Sequence, residues 1–153
     1  MLSGVELLRR GLPQPAASVL ISPWIDMSLR SYEGGNPLVE SDFLVTANSL
    51  VPLLTSMWLR GRSGNSPEVN PLFCRPEDIK DLNPLLILVG AAEFALQDSR
   101  DLATLCQKAN VRHELVAEWG QLHIYAMGSQ WIDPAVREKT DAKIIGWMKQ
   151  FVN

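Results

Sequence analysis

The chain has 153 residues and a formal net charge of −3 at pH 7; 46% of the residues are hydrophobic and 20% are charged. This composition is typical of one globular domain that is large enough to enclose a hydrophobic core. Acidic and basic residues are mixed along the sequence without a basic stripe, which argues against a nucleic-acid partner. No apolar run reaches the roughly 18 residues of a membrane-spanning helix, so we expect no span.

The N-terminal sequence and the cysteines favour a cytoplasmic location. Residues 1–6 lack the basic and apolar regions of a secretory signal peptide. The two cysteines, Cys74 and Cys106, lie far apart and do not have the spacing of a metal site. We therefore expect two buried, reduced thiols rather than a disulfide or a metal ligand pair.

The first predicted element is a helix over residues 2–10. Leu2, Val5 and Leu8 recur at a spacing of three, and Gly11 ends the pattern. Because this helix starts at Met1 without an N-cap, we interpret it as the end of a longer helix.

Three short apolar runs follow, over residues 16–22, 85–89 and 113–117, and are predicted as strands. Their apolar character is continuous rather than alternating, which is typical of strands covered on both faces of a parallel sheet. Helical patterns follow the second and third runs, with N-caps predicted at Asp98 and Asp133. This order predicts an α/β fold. The predicted buried helix positions are Leu102, Leu105, Cys106 and Ala109, and then Ile144, Ile145, Met148, Phe151 and Val152.

The stretch from 27 to 83 differs from the rest of the chain. It contains one amphipathic segment, about residues 42–59, within long polar loops that carry Gly and Pro. Insertions of this length in α/β proteins often act as lids or binding loops, so we predict a lid-like insertion.

An acid and a histidine follow successive predicted strands. Glu93 comes after the second strand and His123 after the third, while Trp24 and Asp26 follow the first. Residues just beyond the ends of parallel strands meet at one edge of the sheet, where ligands bind. A carboxylate that orients a histidine is the acid–base half of a catalytic triad, in which the histidine removes a proton from a nucleophile.

Less specific interpretations apply to each of these side chains. On spacing alone, His123 and Glu93 are each equally well explained as ordinary loop residues. Asp98 is better explained as an N-cap than as a catalytic acid, and Asp26 as a residue that fixes a turn. His113 is predicted to lie at the surface, and the five tryptophans are predicted to lie in the core.

The residue identities in these segments give more information than the spacing of the acid and the histidine. The sequence resembles the C-terminal half of α/β-hydrolases of the hormone-sensitive-lipase type, the fold-3 esterases and lipases that include arylacetamide deacetylase-like proteins. The resemblance covers nearly the whole chain in order. Smaller matches fall at Asn36, Asp42 and residues 70–72. The main matching segments are GLPQPA and VLISPWID (11–26), NPLLILVGAAE (83–93), DSR (98–100) and EWGQLH (118–123).

The resemblance implies a fold, an activity and two site residues. Family members have an eight-stranded sheet with a cap, so this single domain portion, residues 1–153, would hold the last three parallel strands. They hydrolyse short- to medium-chain carboxylic esters without a metal or an organic cofactor. Glu93 stands where the family has its triad acid, and His123 where it has its base. The family often has a second acid four residues later, which is Gln97 here with Asp98 next to it.

The nucleophile of this family is missing from the sequence. Family members carry it in a Gly-x-Ser-x-Gly elbow, with a His-Gly-Gly oxyanion motif further upstream. Neither motif occurs here: the nearest match, GRSGN (61–65), lacks the second glycine and does not follow a strand. By the resemblance, the serine would fall a few residues before Met1, and Ser3 would lie inside the helix rather than on an elbow.

Three interpretations stay open from the sequence. The chain represents part of an ester hydrolase and has little activity alone; or it is a non-catalytic relative that binds another protein; or, less well supported, it is an unrelated flavodoxin-like binding domain, for which residues 23–26 offer no phosphate loop. In the first two cases the 16–22 strand would be an apolar edge, so we expect the isolated chain to self-associate or to be marginally stable.

Overall fold

The fold comes from a computed structural model that describes residues 1–33, 37–42, 50–128 and 130–152. Within these residues three parallel strands form one sheet in the order β1 (Ser18–Ile21), β2 (Leu85–Gly90) and β3 (His113–Glu118). The six α-helices in the same residues are α1 (Leu2–Arg9), α2 (Pro37–Ser41), α3 (Leu50–Leu59), α4 (Pro76–Ile79), α5 (Leu96–Lys108) and α6 (Pro134–Met148), with 3₁₀ turns at Pro71–Phe73 and Tyr125–Met127. The predicted parallel α/β sheet is confirmed.

The central strand β2 is covered on both faces, and all six of its residues are buried. Leu85 and Ile87 face one apolar cluster, which contains residues of α1, α4 and α5. Leu86 and Leu88 face the opposite cluster, which contains Trp147 of α6. Burial on both faces explains the continuous apolar run. The outer strands β1 and β3 are mostly half-buried, because each pairs with β2 on one side only within the described residues.

The buried stripe of α5 matches the prediction, whereas that of α6 matches it only at Ile144 and Phe151. In α6 the residues that face the sheet are Val136, Thr140, Ile144 and Trp147, followed by Phe151 just beyond the helix. The predicted positions Ile145, Met148 and Val152 are instead exposed by 51%, 52% and 71%. The predicted cap of this helix is confirmed: the Asp133 carboxylate accepts a hydrogen bond from the Ala135 amide at 2.8 Å.

The predicted insertion contains α2, α3 and α4. Its α4 is packed into the core through Ile79, while α3 exposes large apolar side chains. The insertion is tied to the sheet by the side chain of Asn70, which donates to Asp26 at 2.8 Å. Asn36, one of the family-like positions, lies outside the described residues.

The thiols are buried and unpaired, as predicted. Burial raises the pKa of Cys106 to about 11 and raises that of Cys74 as well, which suits structural rather than reactive cysteines. Among the helices that the structure describes, none is long and apolar enough to cross a membrane.

Candidate active site

The side chains of Glu93 and His123 meet at the carboxyl edge of the sheet. Glu93 lies three residues beyond the end of β2, and His123 lies five residues beyond the end of β3. Nδ1 of His123 is 2.6 Å from Oε2 of Glu93. The Glu93 side chain is fully buried and the His123 side chain is 10% exposed, so the contact is shielded from solvent while the imidazole can still be reached from one side.

The acid is held by the backbone that precedes it. Its second oxygen, Oε1, accepts a hydrogen bond from the amide of Gly90 at 2.8 Å. The amide of Ala92 then donates to the carbonyl of Gln121 at 3.0 Å, which joins the acid turn to the histidine loop. Gly90 lies directly beneath that loop, where a β-carbon would be 2.6 Å from the carbonyl carbon of Gln121. The acid and the base therefore sit on two loops that pack backbone against backbone.

An aromatic wall closes one side of the pair. The ring of Phe94 stacks on the imidazole of His123, with centroids 5.8 Å apart and an interplanar angle of 16°. Trp24, from the loop after β1, contacts Phe94 edge to face at a centroid distance of 5.8 Å. Phe94 also packs with Val51 of α3 and Val39 of α2, so the insertion forms part of the wall.

A second buried carboxylate, Asp42, comes from the insertion. Its Oδ2 accepts a hydrogen bond at 3.0 Å from the amide of Phe94, the residue that follows Glu93. Asp42, Glu93 and His123 each offer a ligand atom, and these atoms lie within 4.8 Å of one another. The 2.6 Å contact within the pair is too short for both atoms to bind one ion, because ligands at about 2.0–2.2 Å from zinc lie roughly 3 Å apart. The arrangement fits a hydrogen-bonded acid–base pair better than a metal centre.

Asp98 is not the N-cap of α5, contrary to the prediction. The helix begins at Leu96 with Ala95 as its cap, and Asp98 lies in its first turn. The Asp98 carboxylate accepts hydrogen bonds from the amides of Ile25, at 3.0 Å, and Asp26, at 2.8 Å. Burial raises the pKa of the Asp98 carboxyl despite these bonds. Its role is to hold the loop after β1, which leaves Glu93 as the acid in contact with His123.

Asp26 fixes a turn, as predicted, and also anchors the insertion. Its Oδ1 accepts hydrogen bonds from the amide and the hydroxyl of Ser28 and from Asn70, and its Oδ2 accepts one from Arg30. Burial by itself would raise the pKa of Asp26, but these hydrogen bonds outweigh it and hold the pKa below its usual value.

Two expectations about other candidates need correction. His113 is half-buried rather than a surface residue, and its Nδ1 lies 2.8 Å from the carbonyl oxygen of Val111. Of the tryptophans, only Trp147 is fully buried, and Trp24 is half-buried. Trp58, Trp119 and Trp131 are exposed by 52%, 89% and 89%.

Comparison with known proteins places this chain in a family. The sequence model of the alpha/beta hydrolase fold matches residues 2–127. The chain belongs to the alpha/beta hydrolase fold family. Among solved structures, the chain is similar to a hormone-sensitive lipase from a metagenome library, with a TM-score of 0.86 and 26% identity. It is also similar to EstE5 soaked with p-nitrophenyl butyrate, with a TM-score of 0.82 and 25% identity. The predicted hormone-sensitive-lipase type is thereby confirmed.

Two curated relatives are named as an esterase and an acetyl-hydrolase. An esterase of Acinetobacter venetianus is 26% identical over 127 residues, which are 83% of this chain and 41% of the relative. An acetyl-hydrolase of Streptomyces hygroscopicus is 30% identical over 129 residues, 84% of this chain and 40% of the relative. In the solved structures the match covers 99% and 97% of this chain, and 50% and 48% of the lipase and of EstE5. The chain thus spans less than half the length of the curated relatives it matches.

The sequence identified Glu93 and His123 but missed the residues that support them. Asp42 was noted only as a family-like position, and Ser22 and Phe94 were not singled out. Their contacts bridge 52 residues, from Asp42 to Phe94, and 102 residues, from Ser22 to Ile124. Periodicity reports local structure, so contacts across such separations leave no signal in it.

Proposed function

We propose that this chain supplies the acid and the base of a carboxylic ester hydrolase. Glu93 is the triad acid, His123 is the general base, and the nucleophilic serine comes from a part of the protein outside these 153 residues. The observation that carries the proposal is the shielded 2.6 Å contact between Nδ1 of His123 and Oε2 of Glu93. The esterase relatives support the reaction type.

The geometry suits proton transfer. A carboxylate at Nδ1 fixes the imidazole tautomer that carries its proton on that nitrogen, so Nε2 is the atom that accepts the proton of a serine hydroxyl. The fully buried carboxylate then stabilises the imidazolium that forms, because few water dipoles compete with it. Later in the reaction the same nitrogen returns the proton to the leaving alcohol.

A non-catalytic role is the second candidate, because the sequence lacks a Gly-x-Ser-x-Gly motif. The buried pair favours the catalytic role. Taking a carboxylate out of water costs free energy, and such costs are concentrated at functional sites. A suitable first probe is p-nitrophenyl butyrate, since it was soaked into the similar EstE5.

The deciding experiment starts from the native gene product. We expect its intact mass to exceed 17.0 kDa, with peptides N-terminal to Met1. That longer protein should hydrolyse p-nitrophenyl butyrate. His123→Ala should lower kcat by several orders of magnitude, as removal of a triad member does. His113→Ala is the matched control, since the chain has only these two histidines, and it should retain activity.

The 153-residue chain alone provides the complementary measurement. Without a nucleophile elbow, it should show no p-nitrophenyl butyrate turnover above background. Turnover by this chain that disappears in His123→Ala would mean that the nucleophile lies within these residues. A native product of 17.0 kDa without activity would instead favour the non-catalytic role.

A further inference from the structure

The residue after the histidine has a strained backbone. Ile124 has a φ of 57°, in the left-handed region. Side chains that branch at the β-carbon rarely occupy this region, and such strain persists only where the surroundings impose it. Ile124 is directly bonded to His123. A contact that fixes the backbone of Ile124 therefore also fixes the position of the His123 backbone, from which the imidazole side chain extends.

A serine from the first strand provides that hold. The amide of Ile124 donates a hydrogen bond to Oγ of Ser22 at 2.8 Å. Ser22 is only 4% exposed, and its own amide donates to the carbonyl of Leu88 at 2.7 Å, which continues the pairing of β1 with β2. The hydroxyl is therefore fixed to the sheet, and the bond ties the histidine loop to a strand 102 residues away.

Two features make Ser22 more than a packing residue. It has a positive φ of 46°, which a non-glycine residue tolerates only at a cost. Its hydroxyl contacts the backbone next to the base rather than a distant part of the core. The other loop that carries a triad residue has the same construction, with the amide after Glu93 bound to the Asp42 side chain.

We propose that Ser22 is a positioning residue for the general base: its hydroxyl holds the strained Ile124 backbone so that Nδ1 of His123 stays on the Glu93 carboxylate. This inference rests on the proposed function for its catalytic meaning, although the geometry can be tested without turnover. Loss of the hydroxyl frees the histidine loop while the sheet beneath it remains.

The test uses the proton NMR spectrum of the full native gene product. A histidine Nδ1 proton shared with a buried carboxylate gives a low-field resonance, which His123→Ala assigns by removing it. In Ser22→Ala we expect this resonance to broaden or vanish through exchange with water. Ser22→Gly should behave the same way, and because glycine accepts the φ of 46° without strain, it keeps the test valid if Ser22→Ala folds poorly.

Ser18→Ala is the matched control. Ser18 begins the same strand, and its Oγ likewise accepts a hydrogen bond, from the Asn83 side chain at 2.7 Å, at the strand end away from the site. The resonance should survive in Ser18→Ala. A resonance that is unchanged in both Ser22 variants would overturn the positioning role, as would its absence from the unsubstituted chain.

Kinetics of the longer native protein separate this inference from the proposed function. In an active enzyme, Ser22→Ala should lower kcat roughly 10- to 100-fold with little change in KM, the effect of a slightly misplaced base. An active enzyme with unchanged kcat in Ser22→Ala contradicts the positioning role alone. An inactive enzyme whose low-field resonance still depends on Ser22 contradicts the proposed function alone.

Discussion

At the residue scale, the site depends on amides that would otherwise be buried without partners. The amides of Gly90 and Phe94, on either side of the acid turn, donate to the carboxylates of Glu93 and Asp42. A buried backbone amide without an acceptor costs about 1–3 kcal/mol. The two carboxylates thus stabilise the turn that carries Glu93, and the insertion that carries Asp42 becomes part of the support of the candidate site.

Substitution of Asp42 tests this support. Asp42→Ala should lower the free energy of unfolding by about 1–3 kcal/mol, because the Phe94 amide loses its acceptor. Asp42→Asn should cost less, since its side-chain oxygen can still accept that bond. Urea denaturation of both variants measures the difference, and amide hydrogen exchange at Phe94 should speed up in Asp42→Ala. An equal loss in both variants would show that the charge, rather than the hydrogen bond, matters.

At the element scale, the backbone at the end of β2 must approach the backbone of the histidine loop closely. A β-carbon on Gly90 would lie 2.6 Å from the carbonyl carbon of Gln121 and 2.8 Å from the carbonyl oxygen of Leu122. Because these are backbone atoms, the loop itself would have to move. The glycine thus allows the acid turn and the base loop to share one edge of the sheet.

Gly90→Ala should therefore destabilise the fold and displace His123. We expect a loss of about 1–3 kcal/mol in the free energy of unfolding, as for other overpacked sites. Gly146→Ala is the matched control, since nothing lies within 4 Å of a β-carbon there and alanine favours the helix; it should stabilise by about 0.5–1 kcal/mol. Denaturant midpoints of the two variants should shift in opposite directions, and a shift in the same direction would refute the steric argument.

The anchor of the insertion should give stability a specific pH dependence. The hydrogen bonds to Asp26 hold its pKa below the ordinary value of 3.8, so the folded state binds its proton less readily than the unfolded state. The stabilisation is fully present above about pH 4 and is lost as the pH falls through the lower folded pKa.

Asp26→Asn should therefore be less stable than the unsubstituted chain at pH 6, by about 1–3 kcal/mol, with the gap closing below about pH 3. The raised pKa of Asp98 has the opposite effect on the pH dependence of stability. Because Asp98 is present in both proteins, it contributes to the pH dependence of both and does not create the gap between them. Urea denaturation at several pH values measures the gap. A gap that stays constant across this range would contradict the assignment.

Local sequence patterns predicted some elements well. They failed where contacts between distant elements determine which helix face is buried or which partner a carboxylate binds. The stripe of α5 was correct because its four apolar positions all meet one sheet face. In α6 the helix is oriented by Trp147 and Phe151, whose rings lie 5.2 Å apart, and Ile145 and Met148 turn outward. Asp98 has the local sequence signature of an N-cap, but its carboxylate instead accepts hydrogen bonds from backbone amides of the loop after β1. The pairing of Glu93 with His123 was predictable because parallel strands bring their ends together.

At the scale of the whole molecule, one edge and one surface stand out. Strand β1 pairs only with β2 within the described residues, so the backbone amides and carbonyls on its outer side have no partner strand there. Helix α3 adds an apolar surface formed by Leu53, Leu54, Met57 and Trp58, which are exposed by 54%, 42%, 64% and 52%. Unpaired strand edges and exposed apolar patches both promote association.

We therefore expect the isolated chain to self-associate in a concentration-dependent way, which sedimentation velocity can measure.

Two variants separate the strand edge from the surface of α3. The amides of Ser18 and Ser22 point toward β2, so in a parallel ladder the amide of Val19 points outward. Val19→Pro removes that outward donor and is of a kind tolerated on edge strands, so it should weaken association through the edge. Met57→Lys places a charge on the exposed surface of α3 and should weaken association through that surface instead. The two variants distinguish strand pairing from apolar contact, because each removes only one of these driving forces. A monomer at every concentration with a cooperative melt would show that neither is sufficient.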